Sequence, residues 1–560
     1  MLSSNRLRVC SEDNKYRKVF AVILGADAMA KCLLEEQVKV VFGYPGVAIC
    51  PFFNSMLSVD IERVLVRTEQ NAAHMASGYA RISGEVGVCV ATSGPGATNL
   101  ITGIATAYAD SIPLVCITGQ VDSEQLGFDV FQEADITGAV ESFVKYSYLV
   151  KNVEDIPRIF KEAFHIASTG RKGPVLIDVP IDIQNAVISR FSYPTEVNLR
   201  TYKPTVSGHV VQIKKVIKAI SRAQRPIICV GGGVLLSGAS ENVRDFAHQY
   251  GIPVVSTLMG IGVMPTKDPL YFGMVGNNGK PYANRAMNES DLIIMIGARV
   301  ADRAISQPDL IMDNTVLVHI DVDPAEIGKN VGPHIPLVGD INTIFEQMKK
   351  YEAECNCNEW VEILNGYKAD APVRKKPRKE YADPAEFIRI LSGKLDDDAI
   401  YVADVGQNQM WSCSYHIVKS GRFLTSGGMG TMGYSIPAAI GARAAAPDRQ
   451  IVAVCGDGSF QMSMMELATM QQHKLPVKTI IFHNGYLGLV REYQYNTYKG
   501  NYSVVDLTGS PDFGKLSAAY DVPFMKLENM DGAEKAIDDF LAIEGPALME
   551  VMIDPLDVVK

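Results

Sequence analysis

Gly456, Asp457 and Gly458 close an apolar run, IVAVCGDG, and 27 residues beyond that aspartate Asn484 closes a second one, VKTIIFHN. Between the two runs Phe460, Met464, Leu467 and Met470 recur at helical spacing. Strand, helix and strand make one βαβ unit whose two strand ends each carry an oxygen donor. In a parallel sheet such ends lie side by side on the carboxyl edge, where ligands bind. The flanking glycines let a diphosphate approach the backbone, and a helix opening near Ser459 offers free N–H groups to an anion. The Asp457 carboxylate and the Asn484 amide oxygen are hard donors suited to Mg²⁺, with phosphate oxygens completing an octahedron. Alone, each has a plainer reading: a turn for the GDG run, a cap for Asn484. Their pairing on consecutive strand ends is what favours chemistry. A Walker-type nucleotide site is disfavoured, since no GxxxxGK[ST] run occurs.

That unit belongs to a rhythm that runs through the chain. Short Val- and Ile-rich runs alternate with helical stretches, for example VKVVFG at 38–43, VGVCVAT at 86–92, PLVCITG at 113–119, PIICVGGG at 226–233 and DLIIMIGA at 291–298. This is the pattern of parallel sheets covered on both faces, so the predicted class is α/β with doubly wound sheets. Polar, proline-containing stretches at 190–208 and about 352–384 divide the chain into thirds, each near domain size. In the middle third, GGGVLLSGAS (Gly231, Gly232 and Gly233 leading) follows a strand, and HIDVDPAEIGKN carries Asp321. A glycine-rich turn entering a helix can cradle a nucleotide diphosphate, but three glycines alone are weak evidence.

The whole composition narrows the class of molecule. At 560 residues, 47% hydrophobic and 21% charged, the chain has material for three or four cores and excludes a small disulfide-stapled scaffold. A net charge of -10 without long like-charge blocks argues against a nucleic acid partner. The basic run RKKPRK at 374–379 reads as a solvated linker. Ten cysteines are scattered, several inside apolar runs, and Cys355 with Cys357 lacks the second pair or histidines of a metal site. No stretch approaches a membrane span and the first residues carry charges where a signal peptide needs an apolar core, so a cytoplasmic protein is expected.

The spacing of GDG, 24 residues and then His483 and Asn484 resembles the diphosphate-binding motif of thiamine diphosphate (ThDP) enzymes, which usually ends in two asparagines. The resemblance implies Asp457, Asn484 and the Tyr486 carbonyl as metal ligands. It also implies a carboxyl group engaging the pyrimidine ring, and Glu69, at the end of IERVLVRTEQ, fills that place. Read without it, Glu69 is a carboxylate in the first turn of a surface helix. The surrounding runs are similar to one branch, the acetohydroxyacid (acetolactate) synthase catalytic subunits. They include FGYPG (42–46), AAHMASGYAR (72–81), ATSGPGATNL (91–100), FQEADITG (131–138), RKGPVLIDVPID (171–182), TSGGMGTMGYSIPAAIGA (425–442) and GDGSFQM (456–462).

Membership of that branch implies a pyrimidine-binding domain at 18–188, a linker at 189–208, a central FAD-binding-like domain at 209–350, a linker at 351–384 and a diphosphate- and metal-binding domain at 385–560. By resemblance, Met432 supports the thiazolium and Gly430 supplies a carbonyl to the 4′-amino group. Gly456, Gly458 and Ser459 face the diphosphate, while Gly231, Gly232, Gly233 and Asp321 serve FAD. Phe131, Gln132, Lys145 and Arg303 match active-site positions. The implied reaction is decarboxylation of pyruvate and transfer of its hydroxyethyl unit to a second 2-keto acid. The product is 2-acetolactate or 2-aceto-2-hydroxybutyrate, in branched-chain amino acid biosynthesis. A homodimer or homotetramer is implied, and a separate regulatory subunit is common in the branch.

Departures gather on the acceptor side. The usual histidine before the glutamate is Thr68, and the usual glycine after the glutamine is Asn71. Val47 replaces the second glycine of PGG, Ala301 the first aspartate of Asp-Asp-Arg, Asn278 a histidine, and Tyr493 a tryptophan. The cofactor residues Glu69, Met432, Asp457 and Asn484 are all present, so reaction type is better specified than acceptor preference. Another ThDP-dependent 2-keto acid carboligase or decarboxylase, or a non-catalytic paralogue, is the alternative.

Overall fold

A computed structural model describes residues 23–301 and 315–559. Its apolar runs become three six-stranded sheets in which every paired strand is parallel. In the first, the spatial order is Glu62–Leu65, Val40–Gly43, Gly87–Ala91, Leu114–Gln120, Pro174–Pro180, Tyr146–Leu149. In the third it is Arg422–Leu424, Ile400–Ala403, Ile451–Gly456, Val477–His483, Ala547–Met552, Phe524–Leu527. Numbered along the chain, both sheets read 2-1-3-4-6-5. The middle sheet differs, running Tyr271–Met274, Val254–Ser256, Pro226–Val230, Leu292–Ile296, Val316–Asp321, Ile335–Val338. That is 3-2-1-4-5-6, the order of dinucleotide-binding sheets.

The central strands are buried on both faces, as their unbroken apolar sequences require. Glu69–Ser83 in the first domain and Ser435–Ala445 in the third cross in close contact, and two glycines make the approach possible. A Cβ on Gly78 would lie 2.0 Å from the Ala438 carbonyl oxygen, and one on Gly441 1.8 Å from that of Met75. One apolar cluster therefore runs from Val40, Phe42 and Tyr79 through Tyr434 to Phe460 and Leu548, so the outer domains share a core. The middle domain has a cluster of its own. No described helix is long and apolar enough to cross a membrane.

Candidate active site

Ile451–Gly456 and Val477–His483 pair in register up to Gly456 beside Phe482, so the residues that follow them emerge together at the carboxyl edge. Asp457 opens the Asp457–Gln461 helix and is 2% exposed. Its Oδ1 accepts the Gly458 N–H at 2.9 Å and its Oδ2 the Gly485 N–H at 2.7 Å. Burial raises this carboxyl above its usual range, opposed by His483 and the backbone donors. Asn484 Oδ1 accepts the Tyr486 N–H at 2.9 Å, while its Nδ2 donates to Gln407 Oε1 at 3.0 Å. Each of these oxygens keeps a lone pair beyond its backbone bond. His483 stands where the related motif has its first asparagine. Its Nδ1 meets Glu550 Oε1 at 2.5 Å, and its Nε2 lies 3.7 Å from Asp457 Oδ2.

Around these donors lies an open cleft of about 440 Å³, lined by Gly406, Gly456, Gly458 and Gly488 together with Gln407, Ser459, Tyr486 and the apolar Met432, Leu487 and Leu489. Bare backbone and two helix starts, Gln407–Tyr415 and Asp457–Gln461, supply the N–H groups a diphosphate needs. A Cβ on Gly458 would come within 2.8 Å of Leu487, so any larger residue would fill this cradle. Met432 Cε lies 3.6 Å from the same point. The set of one carboxylate, one amide oxygen and adjacent carbonyls suits a hard cation shared with phosphate oxygens. Among the described residues no cluster of three His, Cys, Asp or Glu offers a rival metal site.

A second group forms on the carboxyl edge of the first sheet. Glu69 sits in the first turn of Glu69–Ser83, and its Oε2 accepts the Asn99 amide at 2.9 Å. A Cβ on Gly96 would stand 3.3 Å from Glu69 Oε1, so the SGPG loop passes against this carboxylate. Gly94 is in left-handed backbone and lies against Gln132, itself at φ 63°. Phe131 beside it is 87% exposed. None of these residues lines the Asp457 cleft, whose walls come wholly from residues 405–553.

Three family models match the chain in the same order: thiamine pyrophosphate enzyme N-terminal TPP binding domain at 23–139, central domain at 213–348 and C-terminal TPP binding domain at 404–551. A probable acetolactate synthase large subunit of Methanococcus aeolicus is 42% identical over 555 residues, 95% of this chain and 92% of the relative. The acetolactate synthase large subunit of Corynebacterium glutamicum is 45% identical, over 88% of this chain and 80% of its own. The isozyme 3 large subunit of Escherichia coli is 40% identical over 89% of each. The chain belongs to the thiamine pyrophosphate enzymes, among the acetolactate synthase large subunits. Its activity is thiamine-diphosphate-dependent acetolactate synthesis.

For a member of this family the placement of the remaining residues is informative. Lys145 stands apart from the other first-domain positions. It precedes Tyr146–Leu149, on the amino edge of the first sheet, and so lies at the opposite end of the strands from Glu69 and Gln132. Its amine donates to the Ile166 carbonyl, and to the Thr169 carbonyl and Tyr202 hydroxyl at 2.8 Å, and burial pulls it down to about 7. Arg303 lies outside the described residues. In the middle domain Gly231 and Gly233 pack against Gly297, where a Cβ would meet backbone at 2.2 and 2.8 Å. They allow a close approach between the turn after Pro226–Val230 and the end of Leu292–Ile296, at the point where the sheet order reverses. Asp321 ends Val316–Asp321, and its Oδ1 accepts the Asp323 N–H at 2.9 Å.

Sequence reasoning missed two carboxylates. Asp404, buried at the end of Ile400–Ala403, accepts the N–H groups of Gly433 and Ser435 at 2.9 and 2.8 Å and so holds the loop that carries Met432. Asp110, from the first domain, accepts Gly428 N–H at 2.6 Å, at the start of the same loop. The signal for Asp404 was available in DVGQN after a strand; nothing local marks Asp110.

Proposed function

We propose that this chain joins two 2-keto acids, pyruvate as donor and pyruvate or 2-ketobutyrate as acceptor, giving 2-acetolactate or 2-aceto-2-hydroxybutyrate. The observation that carries the reading is the pairing of Asp457 and Asn484 on neighbouring strand ends beside the glycine-lined cleft. When bound there, ThDP supplies a carbon nucleophile and a sink for the electrons released with CO₂. Asp457, Asn484 and the Tyr486 carbonyl would hold Mg²⁺, and the N–H groups around Gly456, Gly458 and Ser459 the diphosphate. Met432 gives the thiazolium an apolar support, and the Gly430 carbonyl receives the 4′-amino group. Glu69 hydrogen-bonds the pyrimidine N1′, the task for which a carboxyl rather than an amide is needed, because a proton must shift at that nitrogen. Gln132 and Phe131 line the donor side, and Arg303 receives the acceptor carboxylate, a bidentate role that suits guanidinium.

Because Glu69 does not line the cleft of its own chain, the reading includes a homodimer or homotetramer in which Glu69 reaches a second copy's cofactor. It also includes FAD on the middle domain, at Gly231, Gly232, Gly233 and Asp321, supported by that sheet's 3-2-1-4-5-6 order. The relatives' names contain the words large subunit, which supports a separate smaller partner for this chain. Division of the chain at 189–208 and 351–384 and a cytoplasmic location complete the proposal. The test is purified protein with pyruvate, Mg²⁺ and ThDP. Acetolactate, read as acetoin after acidification, supports the reading; acetaldehyde alone would identify a decarboxylase and sink it. Fully active protein that is colourless and gains nothing from added flavin would sink the FAD assignment.

A further inference from the structure

Thr68 precedes the Glu69–Ser83 helix in extended backbone, and its hydroxyl caps nothing. An acceptor for the chain just before this helix, and for a side chain in its first turn, arrives from the third domain. Glu466, 0% exposed, takes the Arg67 backbone N–H and the Asn71 side-chain amide on the same Oε1, each at 2.9 Å. Its Oε2 accepts the Thr469 hydroxyl at 2.6 Å. Glu69 stands midway between the two residues so held. Glu466 in turn comes shortly after the Asp457–Gln461 helix and immediately before Leu467–Gln472. The segment that continues from the diphosphate cradle therefore grips the turn that presents the pyrimidine carboxylate.

Asn71 has one polar use. Its Oδ1 is buried without a partner, and its Nδ2 donates to Glu466 apart from a long contact to Met465 Sδ at 3.9 Å. Burying a half-satisfied amide is unfavourable unless its one bond is worth keeping, and this bond shares Glu466 Oε1 with the Arg67 N–H.

We propose that Glu466 and Asn71 are positioning residues for Glu69, fixing the turn before it and the helix turn after it so that its carboxyl meets the pyrimidine in a single orientation. The proposal rests on the ThDP chemistry given above. A catalytic carboxyl must be held to within about 0.5 Å, and a displacement near 1 Å can cost about 100-fold.

Two readouts test it. In cofactor-free protein, mass-spectrometric amide exchange of peptides covering 65–72 should rise about tenfold in Asn71→Ala and Glu466→Ala. In the holoenzyme, exchange of the C2 proton of bound ThDP should slow about 10- to 100-fold, with KM for pyruvate within about twofold. Glu466→Gln keeps an acceptor oxygen toward Arg67 and should recover most of both. Gln472→Ala removes only a contact to the Arg67 guanidinium and should change neither. A folded Asn71→Ala protein with unaltered protection and unaltered C2 exchange overturns the proposal, as does a loss confined to thermal stability. Wild-type holoenzyme that exchanges no C2 proton would sink the ThDP reading and the proposal with it, whereas unaltered protection of 65–72 sinks the proposal alone.

Discussion

Asp457 works twice. Its two oxygens tie down the Gly458 and Gly485 backbone, and the same oxygens are the hardest donors in the cleft. Asp457→Ala should lose Mg²⁺ and ThDP together in titration calorimetry. Outer partners of a metal ligand cost about 10- to 100-fold in affinity, so a direct donor should cost more; retained affinity for both would remove Asp457 as a ligand. Glu69 is predicted to behave differently, because its proposed place is at the far end of the cofactor. Glu69→Gln should still bind ThDP but slow C2 proton exchange by about 10² to 10⁴. An unchanged rate in that variant would end its catalytic assignment.

At the scale of elements, the crossing of Glu69–Ser83 with Ser435–Ala445 is the joint on which both half-sites depend. Gly441→Ala places a methyl 1.8 Å from the Met75 carbonyl, and overpacking of this kind typically costs about 1 to 3 kcal/mol. Denaturant unfolding should show that loss, with the first and third domains beginning to unfold separately; a variant as stable as wild type would mean the helices can part at little cost. This joint also shows what the sequence could and could not convey. The sheets were legible because fully buried parallel strands are written as unbroken Val and Ile runs, and the Asp457 and Asn484 edge because glycine and oxygen donors follow two such runs directly. The grip on the Met432 loop by Asp110 was not legible, since it joins residues more than 300 apart and no local pattern records which distant carboxylate a backbone loop will find. The separation of Lys145 from Glu69 was not legible for a related reason. Similarity of a run does not say at which end of a strand its residues fall, and here the strand begins just after the lysine.

For the molecule as a whole, one buried acid should shape the dependence of stability on pH. Burial drives the Asp178 carboxyl up to about 7, although Thr118 and Gln120 donate to it and pull the other way. The unfolded carboxyl titrates near 3.9, so the folded protein holds this proton more tightly, and stability should fall as pH rises from about 4 to about 7. Asp178→Asn is expected to flatten that part of a Tm-against-pH curve; the same slope in the variant would point to another group. The shared core of the outer domains has a consequence in time. The helix ending at Ser83 buries its face on one beginning at Ser435, and ribosomes add about 5 to 20 residues each second. A nascent chain must therefore wait roughly 20 to 70 seconds with that apolar face uncovered. During synthesis the first third is the part most in need of a chaperone, and release from the ribosome before residue 435 should leave it prone to aggregate.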